Sequence, residues 1–330
     1  MNYTLFMRIF RDIPGNARTC LILEPLWAVF GGMIFFYVPL YMKGLGLSEV
    51  EMGVINTVNM LVSFICHFIA GPVTNRLGRK KTTLVFDIVC WTIPMLIWAA
   101  AQNFWYFLIA ASINAFVRIV NVSWNCLMVE DTPPSKRARV FGIIYLINYA
   151  TGIFTPITGV FIACYGTVPT MRVVYLLGVA SMTAMFFIRN AFVKETKSGS
   201  ELMIVHSGLS VLQSMKDYLK TVTGTLKNKA FLMITSVFVI TNFILSLNFF
   251  QVLFLKEYLG YNALTVSIIP GINAFINVML YLFVIPRLGR LREEKSLSIA
   301  AVICLAGSLF FLLIPRNSAV LMLTAVATLA

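Results

Sequence analysis

The apolar residues of this chain come in long blocks separated by short polar turns. Nine blocks, at 21–42, 51–73, 82–101, 104–128, 139–164, 170–188, 230–254, 264–286 and 297–315, approach or exceed the roughly 20 residues a helix needs to cross the hydrocarbon core of a bilayer. A tenth, from Ser318 to Ala330, climbs only about 20 Å at a rise of about 1.5 Å per residue, so the sequence ends within a spanning element. The pattern predicts an all-α polytopic membrane protein of nine full helices and part of a tenth.

Six blocks lie before residue 192, and the chain then turns polar from Val193 to Lys229, with Lys194, Glu195, Lys197, Ser198, Gly199, Ser200 and Glu201. Within this linker Val211, Leu212, Met215, Tyr218, Leu219 and Val222 recur at helical spacing opposite Lys216, Asp217 and Lys220. That is the pattern of a helix lying on a membrane surface, or of a plain connector. After the linker the apolar blocks resume, and the tetrad Arg76-Leu77-Gly78-Arg79 returns as Arg287-Leu288-Gly289-Arg290. A second half that repeats the first predicts two bundles, 1–192 and 230–330, joined by 193–229, with the second bundle incomplete.

Composition agrees with the pattern. Hydrophobic residues make up 59%, charged residues 12%, and mean hydropathy is +0.86, whereas a soluble domain carries about 25% charge. The net charge of +13 would suit nucleic acid if the basic residues were clustered on one soluble face. They fall instead between the blocks: Arg8, Arg11 and Arg18, then 76–81, 136–139, 189–229 and 287–295 lie on one side of the membrane, leaving Lys43, Arg172, Lys256 and Arg316 on the other and Arg118 within a helix. By the positive-inside rule the N-terminus is cytoplasmic. The first block has no small-residue cleavage pattern and reads as a retained helix. The six cysteines, Cys20, Cys66, Cys90, Cys126, Cys164 and Cys304, show no metal-ligand spacing and read as packing residues. No phosphate-binding loop, His-Glu-x-x-His pattern or His/Cys cluster is present, so no enzyme, metal or cofactor is expected.

The stretch Gly71-Pro72-Val73-Thr74-Asn75-Arg76-Leu77-Gly78-Arg79-Lys80-Lys81 reads as a short basic loop between the second and third helices. Its spacing of Gly71, Arg76, Gly78, Arg79 and Lys80 resembles the signature loop of the major facilitator superfamily, G-x-x-x-D-R-x-G-R-K, with Asn75 at the acidic position. The resemblance extends over the chain in helix count, halves and linker. It implies two pseudo-symmetric six-helix bundles rocking about a midplane site, with Gly71, Asn75, Arg76, Gly78 and Arg79 in a gate. From the residues alone, a plain positive-inside anchor is the other reading. Gly152, Pro156 and Gly159 are loosely similar to the glycine-proline motif of the superfamily's proton-driven exporters, with Thr155 where glycine precedes proline, and assign no direction.

Charged and amide residues inside the blocks are the candidates for function, because lipid makes them costly unless paired or wetted. Glu24, Asp87, Glu130 and Asp131 lie at similar estimated depth to Arg76, Arg79, Lys80, Lys81, Lys136 and Arg137, which predicts a charge network with Asp87 and Glu130 in the gate. Glu24 is either a proton carrier or half of an ion pair. Arg118 stands in mid-bilayer with Asn114, Asn121 and Asn125 at helical spacing, and its partner is either an anionic group on a substrate or an interhelical amide or carbonyl. Asn56, Asn59, Ser63 and His67 form a second stripe, with His67 either proton-coupled or a packing donor. Asn273, Asn277 and Tyr281 form a third, joined by Asn242, Asn248 and Gln251; these line a cavity or glue helices together.

These residues together point to secondary active transport of a small polar or anionic solute by a monomer in a bacterial cytoplasmic membrane, in symport or antiport with protons or another solute. The bilayer, the solute and protons are the expected partners, and nucleic acid is excluded. Multidrug efflux by proton antiport and a non-transporting membrane sensor are the alternatives.

Overall fold

The computed structural model describes residues 12–13, 15–207, 248–258, 260–261 and 263–284, with scattered positions between 213 and 236. Among them the regular structure is helical throughout, with no strand. Among the described residues six helices are long and apolar enough to cross a membrane: α1 (Gly15–Gly44), α2 (Glu49–Leu77), α3 (Arg79–Ala99), α4 (Phe104–Val129), α5 (Pro134–Tyr165) and α6 (Thr167–Phe192). After them come α7 (Lys197–Ser207), a short helical piece at 248–258, and α8 (Ala263–Met279). The repeated tetrad at Arg287, the amphipathic pattern at 211–222, Asn242, the side chain of Asn248 and the ninth and tenth blocks lie outside the described residues.

Burial is inverted relative to a soluble helix. In α2, Leu61, Phe64 and Ile65 are 60%, 64% and 60% exposed, while Ser63 and Cys66 are at 5% and 2%. A face that presents its largest apolar side chains outward and its smaller residues inward is built for lipid.

The chain divides into two compact units. The first holds Met1–Trp27, Leu45–Phe141 and Tyr175–Asn248; the second holds Ala28–Gly44, Gly142–Val174 and Phe249–Ala330. In the first, α2 packs along α4, α3 along the second half of α4, and α7 against α2. In the second, the last turns of α5 pack on α8. Small residues set that approach: a Cβ on Gly152 would lie 2.9 Å from both Ala274 Cβ and the Pro270 carbonyl oxygen, and one on Gly271 would lie 3.3 Å from Pro156. Also in the second unit, Thr155 Oγ1 donates to the Gly32 carbonyl at 2.8 Å and Tyr37 OH to the Thr155 carbonyl at 3.1 Å.

Prolines shape three of the spans. A proline gives no N–H to the carbonyl four residues before it and crowds that carbonyl. The helix tightens to 3₁₀ at Phe35–Tyr37 ahead of Pro39, widens to a π-turn at Ile88–Thr92 ahead of Pro94, and tightens again at Thr151–Phe154 ahead of Pro156. The span α4 is interrupted for another reason, a turn at Ala115 and Phe116, where Phe116 N–H donates to the Ile113 carbonyl at 3.1 Å in an i→i−3 bond.

One expectation is corrected by the helix bounds. The stretch from Gly71 to Lys81 is not a loop: α2 continues through Gly71 and Pro72 to Leu77, α3 starts at Arg79, and Gly78 alone lies between them. Within the polar stretch after α6, Lys197–Ser207 is helical. Its start follows from Thr196, whose Oγ1 accepts the Gly199 N–H at 2.9 Å and caps the new helix.

Candidate functional site

Gly78 closes one helix and opens the next. Its N–H donates to the Thr74 carbonyl at 3.0 Å, its carbonyl accepts from Thr82 at 3.2 Å, and its φ of +83° is a conformation that glycine adopts without a Cβ penalty. A side chain there would also meet Met203 Sδ at 2.5 Å and Glu195 Oε2 at 2.6 Å. The first N–H groups of a helix lack intrahelical partners and form its positive end. Glu195 fills that position for α3, accepting the backbone N–H groups of Arg79 and Lys80, each at 3.0 Å.

Arg79 then turns inward and is 3% exposed. Its Nε and Nη2 grip Glu130 at 2.8–3.2 Å, the forked geometry that guanidinium and carboxylate favour. Its Nη1 donates to Asn75 Oδ1 at 3.2 Å, so the asparagine at the signature's acidic position supplies an acceptor without a charge. Thr196 Oγ1 also donates to Glu130. Burial pushes the Glu130 carboxyl upward, but the hydrogen bonds from Arg79 and Thr196 and the Arg79 charge outweigh it and hold the group below the usual carboxylate range. Arg76 and Lys81 remain exposed on the rim.

Of the other acids that the sequence sets at this depth, Asp87 does not join the basic turn. It lies on the face of α3 that looks to α6 and α1, where Arg189 donates to it. Asp87 and Arg189 are 2% and 4% exposed, and the guanidinium carbon sits 5.6 Å from the centre of the Phe186 ring. Glu24 of α1, 8% exposed, lies within electrostatic reach of both. Two carboxylates and one guanidinium of the first unit are thus enclosed among α1, α3 and α6.

Arg118 follows the turn in α4 directly. It lies beside Cys66 of α2, near an apolar group of Cys66, Ala70 and Ile119. Among the described residues its buried Nε has no hydrogen-bond partner and it enters no salt bridge. The four-residue stripe on α4 is not used as one face. Asn114 donates to the Cys90 carbonyl of α3 at 2.7 Å, Asn125 donates back to the Asn121 carbonyl of its own helix at 2.7 Å, and Asn121 and Asn125 are exposed. On α2, Asn59 donates to the Ala111 carbonyl at 2.7 Å and Asn56 is half-buried. His67 is exposed, with Nδ1 2.7 Å from the Ser63 carbonyl. In the second unit Asn277 donates to the Asn273 carbonyl at 2.9 Å, Asn273 Oδ1 is buried with no partner among the described residues, and the Tyr281 ring abuts Gly142.

Three residues important to these clusters escape a sequence reading. Arg189 looks like one more positive-inside anchor, and its position at similar depth to Glu24 and Asp87 is the signal that could have singled it out. Glu195 and Thr196 look like linker; a threonine just before a helical stretch was the available sign of a cap.

The sequence profile of the Major Facilitator Superfamily matches residues 26–330. The chain belongs to that superfamily. Among curated relatives, the multidrug resistance protein MdtG of Salmonella choleraesuis strain SC-B67 is 26% identical over 325 residues, a match covering 93% of this chain and 74% of the relative. MdtG of Salmonella arizonae matches to the same extent. Among solved structures, the inward-open and the partially occluded inward-open conformations of the xylose transporter XylE from E. coli align with TM-scores of 0.53 and 0.59 at 14% and 12% identity. The alignments cover 95% of this chain and 78% and 79% of XylE. At such identity they establish the shared all-helical transporter fold and nothing about solute. This major facilitator chain is therefore an integral membrane protein of a transporter family.

Proposed function

We propose that this transporter moves small anionic solutes outward across a bacterial cytoplasmic membrane by alternating access, in exchange for protons. One observation carries the solute class: Arg118, inside a span and against apolar neighbours, holds a buried Nε that no described residue satisfies. A cation in that setting is stable only beside a wet cavity or an opposite charge, and an anionic group on the solute supplies the charge. Export is supported by the relatives named for multidrug resistance. The first, six-helix bundle is 1–192 and the second begins at 230 after the linker 193–229, with the N-terminus in the cytoplasm by its arginines. The turn at Gly78, with Arg79, Glu130, Asn75 and Glu195, latches one end of the first bundle. The carrier works as a monomer.

Multidrug efflux without preference for charge is the second reading, favoured by the relatives' names. Thermal stabilisation of the purified protein by benzoate and methylphosphonate, with ethidium as the cationic and xylose as the neutral probe, separates the two. A solute at about 100 times its Kd stabilises by about 2.7 kcal/mol. The anions are expected to stabilise the wild type, and Arg118→Ala to lose that response while Arg118→Lys keeps part of it. Equal stabilisation by ethidium, unchanged in Arg118→Ala, would favour the second reading.

A further inference from the structure

The pair Asp87–Arg189 would be complete by itself: one negative and one positive charge, hydrogen-bonded, both buried. Glu24 is therefore in excess. It is 8% exposed, its carboxyl accepts no hydrogen bond from any described residue, and the nearest charges are those of the pair. With both carboxylates ionised the cluster carries a net charge of minus one; with one proton bound it is neutral. An uncompensated charge enclosed by three spanning helices is costly, and two carboxylates around one guanidinium titrate as a unit.

Among the described residues no further charge lies beside the cluster to settle the balance. The other ionisable groups beside the cluster are Cys20 on α1 and Cys90 on α3, both buried thiols, and α6 contributes Arg189 itself over the Phe186 ring. The backbone is arranged around the site too. Asp87 immediately precedes the π-turn at Ile88–Thr92, a distortion that often marks functional positions. Asn114 braces that turn by donating to the Cys90 carbonyl, which Pro94 cannot serve. The residues of the cluster and its brace, Glu24, Asp87, Asn114 and Arg189, thus all belong to the first unit.

We propose that Glu24, Asp87 and Arg189 form a single-proton binding site, in which Arg189 retains Asp87 as an ion pair and Glu24 takes up and releases the proton. The exchange is Glu24–COOH to Glu24–COO⁻ plus a proton delivered to water, with no other bond changed. This deepens the transport reading: binding and release at this site is the step by which a proton gradient biases the carrier. His67, exposed on α2 and bonded to its own helix, has no role in it.

Infrared difference spectroscopy of the full chain in lipid nanodiscs, stepped between mildly acidic and mildly alkaline buffer, tests the site with the proton itself as probe. Wild type is expected to show one protonated-carboxyl band per chain that disappears on alkalinisation and shifts on ¹³C-glutamate labelling, which ties it to glutamate without a mutation. Glu24→Gln is expected to lose the band and Glu24→Asp to keep a displaced one that no longer responds to the glutamate label. Asp87→Asn leaves one carboxylate and one guanidinium and is expected to lose the band as well. A band unaltered in Glu24→Gln, or no glutamate band in wild type, would overturn the proposal. Because the assay needs no flux, its result stands apart from the transport reading. If wild type proves inactive in transport yet carries the band, transport fails and the site survives; if wild type transports without the band, the reverse holds.

Discussion

Arg79 shows how much one residue can organise. Nearly all of its side chain is buried, its guanidinium is forked onto Glu130, and its own N–H is held by Glu195. Removing the charge of a partner in such a pair leaves the other buried and uncompensated, at a cost of about 3–5 kcal/mol. Glu130→Gln is expected to lower unfolding stability in detergent by roughly that order. The pH dependence has a definite sign. The Glu130 carboxyl is held below its ordinary range when folded, so its contribution is fully present above the unfolded value of about 4.3 and is lost as pH falls through the folded value. The wild-type advantage over Glu130→Gln in a denaturation series should be constant at neutral pH and shrink only in stronger acid. Gly78→Ala is a second test at this scale. A φ of +83° costs a non-glycine residue about 1–2 kcal/mol, and the new methyl would press on Glu195. The variant should lose stability by at least that much, and its tail after α6 should become open to proteolysis.

At the scale of elements, the spans were legible and their irregularities were not. The blocks at 104–128 and 170–188 correspond to helices at Phe104–Val129 and Thr167–Phe192, because twenty apolar residues in lipid have no alternative to satisfying their backbone internally. The turn in α4 left no trace in the block, and so the stripe of Asn114, Arg118, Asn121 and Asn125 looked continuous. Spacing predicts a shared face only while the helix stays regular. Proline alone does not foretell a distortion either: Pro72 and Pro270 sit in helices that remain α throughout. At Pro94 the freed carbonyl of Cys90 has found Asn114 from the next helix, a pairing between distant residues that no local pattern encodes. Asn114→Ala should therefore leave that carbonyl without its amide and cost about 1–3 kcal/mol, whereas Asn125→Ala, which removes a bond within an exposed stretch of one helix, should be close to neutral. Thermal unfolding of the two variants side by side checks this.

For the whole molecule, the apolar blocks and the basic turn were enough to reach the superfamily, while the solute stayed hidden because it depends on which polar side chains are left unsatisfied after folding. Arg118 is where that distinction falls: Asn59 and Asn114 are used between helices, and the buried Nε of Arg118 is not. The most direct measurement is proton-driven uptake of radiolabelled benzoate into everted membrane vesicles carrying wild type or Arg118→Ala. With an anion held at Arg118, wild-type accumulation is expected to collapse with the proton gradient and to fall at least about tenfold in Arg118→Ala, since an interaction of about 1.4 kcal/mol or more is lost. Equal accumulation by the two proteins, or accumulation indifferent to the gradient, would contradict it.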